Sequence, residues 1–265
     1  MAIYHLNCGT LSPRYARMHT LLYCLLVETS AGPVLVDTGL GAQDYERPAL
    51  MVRAFETLMR APGDVQETAV QQVQRLGYAP EQVEHIVLTH LHLDHAGGLA
   101  DFPHAQVHVW QREYEAAMHH RGWLGRLSYQ AAQWAHGPRW VLHDSPVERW
   151  YDFDALAVLP GITPRILLVP LPGHTPGHCG VAIQTERGWL FHCGDAASPT
   201  HPATDAYARP DKRYPLHWLP ATPARWFFGR QAPRLQALAR EHGDEVTVIT
   251  GHDYEHWREL RGGAG

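Results

Sequence analysis

Short apolar, β-branched runs recur along the chain and alternate with stretches of helical character. Residues 20–29 and 33–37 read as two strands joined by the turn Ser30-Ala31-Gly32. Residues 48–60 and 65–76 read as helices, the second stopped by Gly77. A strand follows at 84–89, then a short helical turn opened by Asp94, a strand at 106–110 and helices at 111–120 and 124–136. Strands recur at 166–169, 180–185 and 189–193. Residues 222–240 read as largely helical with a break near Pro233, and 245–250 as the last strand. Strands and helices mix throughout, so the class is α/β (α+β).

No Ser/Gly tract, charge block or internal repeat marks a linker, and 265 residues can bury a sizeable core, so residues 1–265 read as one domain. Two stretches look like additions. Residues 119–150 carry Trp123, Trp134, Trp140 and Trp150; residues 198–228 carry Tyr207, Tyr214, Trp218, Trp226, Phe227 and Phe228. Their aromatics either wall a binding pocket or pack the additions onto the body. The apolar run from Leu21 to Val27 is far short of the roughly 20 residues a membrane helix needs. The N-terminal residues lack the pattern of a signal peptide, so a cytoplasmic location is the expectation. A net charge of −5 and one lysine, Lys212, argue against a nucleic-acid surface. Cys8, Cys24, Cys179 and Cys193 form no C-x-x-C pair, and Cys24, Cys179 and Cys193, in or beside apolar runs, are expected to be small core residues.

The chemistry is concentrated just past the ends of the apolar runs. His90, His92, Asp94 and His95 stand in T-H-L-H-L-D-H-A-G-G, after Ile86-Val87-Leu88. A strand core has no use for three imidazoles around a carboxylate, whereas zinc and its neighbours are held by those groups. His174 lies in P-G-H-T-P-G-H, Asp195 in Cys193-Gly194-Asp195 and His252 in Gly251-His252-Asp253, each after another such run. The intervals are long, so a shared centre forms only when the whole chain folds. Residues i and i+2 of an extended chain share a side, so His90 and His92 can grip one ion together. His104, His108, His119, His120, His136 and His143 show no converging partners and are expected to be ordinary.

This ordered set of motifs resembles the metallo-β-lactamase superfamily, from about Thr20 to His252. Within it the chain is most similar to the N-acyl-homoserine lactonases, quorum-quenching enzymes. That likeness rests on Tyr23-Cys24-Leu25-Leu26-Val27-Glu28-Thr29, G-P-V-L-V-D-T-G at 32–39, R-L-G-Y-A-P at 75–80, H-L-H-L-D-H-A-G-G at 90–98, R-E-Y-E-A-A at 112–117 and G-H-D at 251–253. The resemblance implies a four-layer αββα sandwich with metals at one edge of two sheets. It implies two divalent ions, zinc first with iron or manganese as alternatives. His90, His92 and His174 would hold one, Asp94, His95 and His252 the other, with Asp195 bridging. Asp37 and His178 would orient ligands from behind. The reaction implied is attack of a metal-bound hydroxide on a lactone carbonyl, with Asp94 passing a proton to the leaving oxygen.

The chain departs from that family at two places. Ser198 stands where such lactonases often carry a tyrosine, three residues after the bridging Asp. Leu93 replaces an aromatic often found between the second His and the Asp. Tyr207 or Tyr214 are the residues that could supply the missing phenol. The partner expected is a small lactone or ester, with a thioester of the glyoxalase II kind, or another ester, as the alternative. A glutathione thioester would want a basic patch, for which Arg126, Arg139, Arg209 and Arg213 are the candidates.

Overall fold

Two six-stranded mixed sheets organise the chain in the computed structural model, which describes residues 1–13, 19–61, 63–119, 123–146, 148–197 and 230–261. The first sheet runs in sequence order: β1 (Ile3–Leu11), β2 (Thr20–Thr29), β3 (Gly32–Val36), β4 (His85–Val87), β5 (Gln106–Trp110) and β6 (Arg139–His143). The second is ordered from its far edge: β12 (Val246–Ile249), β11 (Gly188–His192), β10 (Cys179–Thr185), β9 (Ile166–Pro170), β8 (Phe153–Ala157) and β7 (Glu148–Trp150). Among the described residues the α-helices are α1 (Ala42–Glu46), α2 (Leu50–Met59), α3 (Ala69–Arg75), α4 (Leu93–Ala96), α5 (Gln111–Met118), α6 (Trp123–Ser128), α7 (Ala232–Glu241) and α8 (Tyr254–Arg261).

Alternation along β2 sets the layers. Leu21, Tyr23, Leu25 and Val27 face the second sheet and meet Leu168, Val181 and Ile183. Leu22, Cys24 and Leu26 face the other way, against Val52 of α2 and Val73 of α3. A strand buried on both faces reads as one unbroken apolar run, as this one does. The second sheet likewise turns Leu167, Val169, Phe191 and Val248 outward onto Leu235 and Leu238 of α7. Each such buried side chain contributes about 1.5–3 kcal/mol. The result is the αββα sandwich that the resemblance implied. Cys24, Cys179 and Cys193 are free and buried, as expected of core residues, and so is Cys8. Among the described residues no helix is long and apolar enough to cross a membrane.

The observed elements differ from the sequence expectation in identifiable ways. Residues 119–150 are less an addition than part of the body: 139–143 form β6, in parallel register with β5, and Trp150 is buried against Phe191. The helix expected over 124–136 is broken into α6 and a 3-10 turn at Ala131–Trp134. Of the helix expected over 222–240, the described part is α7, which starts only at Ala232 after the non-helical Arg230 and Gln231, with Pro233 in its first turn, where its missing N–H costs nothing; residues 222–229 lie outside the described residues. The stretch 198–228, with Ser198, Tyr207 and Tyr214, lies outside the described residues.

Strand polarity brings the motif residues to one edge. β3 and β4 run parallel, and Asp37 and the 88–95 segment follow their C-terminal ends. β11 and β12 also run parallel, and Asp195 and His252 follow theirs. Backbone bonds between the sheets lock this edge: Cys179 N donates to Thr89 O at 2.9 Å and Tyr23 N to Gly251 O at 2.9 Å.

Candidate metal centre

Every histidine and aspartate singled out from the motifs as a ligand arrives at this edge. Their ligand atoms fall into three groups, each within 4.8 Å: His90, His92 and His174; His90, His95 and Asp195; and Asp94, His95 and His252. His92 Nδ1 lies 2.9 Å from His174 Nε2. Asp195 stands between the first and last groups. Its Oδ2 is 3.3 Å from His174 Nε2, and its Oδ1 is 3.4 Å from His95 Nε2 and 3.2 Å from His252 Nε2.

Local structure aims these groups. His92 precedes the four-residue helix α4, which carries Asp94 and His95. Asp37 accepts from Thr89 N at 2.8 Å and from Thr89 Oγ1 at 2.7 Å, fixing the chain just before His90. The same carboxylate lies 2.8 Å from His95 Nδ1, so the other ring nitrogen points at the centre. His252 Nδ1 donates to Leu21 O at 2.8 Å, with the same consequence. His178 is buried and outside all three groups; its Nε2 accepts from Asp195 N at 3.0 Å. Asp37 and His178 thus lie behind the centre, each bonded to a segment that carries a candidate ligand.

The electrostatics suit cations. Burial, with neighbouring imidazoles added, holds His90 well below the ordinary histidine range. Burial also lowers His92, to about 4, so these rings are neutral and offer lone pairs. Burial opposes charge on His252, but Asp195 overcomes it and raises the ring to about 9. Burial likewise opposes charge on His95, which Asp195 and Asp37 raise well above its usual value. Burial pushes Asp195 up, and His252, His95 and His174 pull it well below the carboxylate range. His90 Nε2 is buried with no hydrogen-bond partner among the described residues. A polar atom left in that state is costly, and a metal ion is the partner its group is built to share.

Sequence reasoning missed two features. Glu113 on α5 is fully buried and binds both motif segments. Its signal was a charged residue four positions from Ala117 on the helix face that packs inward. Second, His108 and His143 are not ordinary. They converge with His85 in a chain across β4, β5 and β6, His85 Nδ1 to His108 Nε2 and His108 Nδ1 to His143 Nε2, both 3.0 Å. Leu93, the first residue of α4, is buried in the core. Arg139 donates to His104 O at 3.1 Å, while Arg209 and Arg213 lie outside the described residues.

Imidazoles and carboxylates gathered at the rim of a two-sheet sandwich define a class, the metal-dependent hydrolases. The chain belongs to the metallo-β-lactamase superfamily, whose domain model matches residues 22–252. It is 39% identical over 251 residues to a Mycobacterium tuberculosis protein described as a "probable metallo-hydrolase", covering 95% of this chain and 80% of the relative. It is 33% identical over 167 residues to an N-acyl homoserine lactonase of a Bacillus species, covering 63% of this chain and 59% of the relative. Among solved structures it superposes on a Bacillus thuringiensis AiiA variant holding N-decanoyl-L-homoserine, with a TM-score of 0.69, 24% identity and coverage of 97% and 95%.

Proposed function

We propose that the protein opens lactones of the N-acyl-homoserine type using two divalent ions. His90, His92 and His174 hold one and Asp94, His95 and His252 the other, with Asp195 shared between them. The observation that carries this reading is Asp195, whose two oxygens face imidazoles of both groups at 3.2–3.4 Å. Zinc is the first candidate, and the donor set also accepts iron and manganese. When bound, a pair of such ions supplies a water of lowered pKa and Lewis acidity toward a carbonyl oxygen.

The chain supplies the rest. Asp37 and His178 keep His95 and Asp195 aimed. Asp94 Oδ2 lies 3.7 Å from His252 Nε2, and its side chain keeps some exposure. It can therefore meet a bound substrate and carry a proton to the departing alkoxide oxygen, which stays attached as the ring opens. No Ser or Cys nucleophile is required. The lactone preference is supported by the likeness to lactonases and weighed against by Ser198, which favours a second reading as a thioesterase or aryl esterase with the same centre.

The test is hydrolysis by the metal-analysed protein across short- and long-chain acyl-homoserine lactones, a simple lactone, an aryl ester and a glutathione thioester. Fast lactone opening abolished by chelation supports the proposal. Turnover of the thioester or aryl ester alone keeps the hydrolase and discards the lactone.

A further inference from the structure

Glu113 is a fully buried carboxylate beside the centre, and four donors converge on it. Oε1 accepts from Leu91 N at 3.0 Å and Tyr129 OH at 3.2 Å; Oε2 accepts from Thr175 Oγ1 at 2.5 Å and Gly177 N at 3.1 Å. Leu91 sits between His90 and His92. Thr175 follows His174. One side chain therefore ties the two segments that carry the three-imidazole group, each within one residue of a ligand. Tyr129 adds a third segment, and its ring packs 5.3 Å from that of His92.

The contact is built closely. At Gly177 a Cβ would fall 2.1 Å from Glu113 N, so the His174 loop lies directly on the start of α5. Nothing in core packing asks for an acid here, because a buried carboxylate is tolerated only when its acceptor sites are filled. The second group has other supports: Asp37 for His95 and Leu21 O for His252. Asp37 also reaches the first group, through Thr89 beside His90, whereas among the described residues Glu113 bonds only the two segments of the three-imidazole group and Tyr129.

We propose that Glu113 is a positioning residue for the three-imidazole half of the centre, setting the approach of His174 to His90 and His92 through Leu91 N, Thr175 and Gly177. This rests on the two-ion reading above. An amide of the same shape cannot replace it, since a carboxylate accepts four bonds while an amide turns two N–H groups toward one of the donor pairs.

The experiment is stepwise cobalt(II) titration of the metal-stripped protein, followed by its visible absorption and by competition with a chromophoric chelator. The wild type is expected to show two binding steps. Glu113→Gln is expected to weaken one step about 10- to 100-fold, the usual effect of losing an outer support, with the other step within about threefold. Asp37→Asn, which loosens both Thr89 beside His90 and His95, is expected to weaken both steps. Equal weakening of both steps in Glu113→Gln, or of neither, overturns the proposal and leaves Glu113 a packing residue. If Glu113→Gln fails to fold, Thr175→Val removes one of the four donors at constant shape. It is expected to weaken the same step by about threefold or more, and an unchanged step overturns the proposal. A wild type that takes up no ion sinks the two-ion reading itself, whereas two normal steps with an unaffected Glu113→Gln sink the positioning role alone.

Discussion

Asp37 Oδ2 and His95 Nδ1 lie 2.8 Å apart, joining the end of β3 to the helix that carries two of the motif residues. The bond sets which ring nitrogen faces Asp195. Asp37 also has a φ of +54°, a left-handed conformation that asparagine tolerates better than alanine. Asp37→Asn therefore removes the charge without adding backbone strain. The expected result is a folded protein with kcat/KM lower by roughly 10- to 100-fold and weaker metal retention. Lactone turnover and metal analysis check it, and an unchanged kcat/KM would detach Asp37 from the centre.

His92 belongs to only one of the three ligand groups, the one it shares with His90 and His174. Its removal should cost an ion while sparing most of the fold, because α4 uses the backbone of His92 and not its side chain as a cap. His92→Ala is expected to lower turnover by more than the roughly 100-fold that outer-support changes produce. Circular dichroism should be close to that of the wild type. Retained turnover would end the two-ion reading.

These residues were legible because ligands cluster at strand ends and the strands announce themselves. β2 is an apolar run bounded by a turn, and β5 fell where the pattern put it, at 106–110. β1 was missed because Asn7, Gly9 and an irregular register between Asn7 and Thr10 break its alternation. β6 was missed because its apolar run, Trp140-Val141-Leu142, is only three residues long between Arg139 and His143 and is not fully buried at the sheet edge. Contacts made by pairing were hidden for another reason. His108 meets His85 and His143 only because Val87 pairs with His108 and Trp110 with His143, and register is a tertiary property. Glu113 was hidden likewise: its partners Leu91, Tyr129 and Thr175 come from three separate segments.

The histidine chain makes stability depend on acid. Burial, with His143 and His85 beside it, pushes His108 down to about 3, against 6.5 for a free histidine. The unfolded chain therefore takes up this proton first as pH falls. The stabilisation is complete above about pH 6.5 and is lost as pH drops toward 3, by about 1.4 kcal/mol per pH unit. His108→Gln cannot take the proton. Urea denaturation at neutral pH and at about pH 4.5 should show the wild type losing roughly 2–3 kcal/mol more than the variant. Parallel losses in the two proteins would mean that another group carries the acid sensitivity.

The loop P-G-H-T-P-G-H contains two glycines with different reasons to be there. At Gly177 a Cβ would lie 2.4 Å from Glu113 Cα and 2.6 Å from Arg112 C, backbone atoms of α5 and its entry that cannot yield without moving the helix. At Gly173 the nearest atoms among the described residues belong to the Arg230 side chain, at 3.3 Å from a Cβ, and it needs to shift by tenths of an ångström. Gly177→Ala should cost about 1–3 kcal/mol or more from overpacking and lower the melting temperature by several degrees. It should also weaken metal retention, because the displaced loop carries His174. Gly173→Ala should stay within about 0.5 kcal/mol of the wild type, the usual range for substitutions away from tight contacts. Thermal melts of the two variants with and without a chelator check both statements. If the two substitutions prove equally mild, the loop does not need its close seat on α5, and His174 is held by something other than that contact.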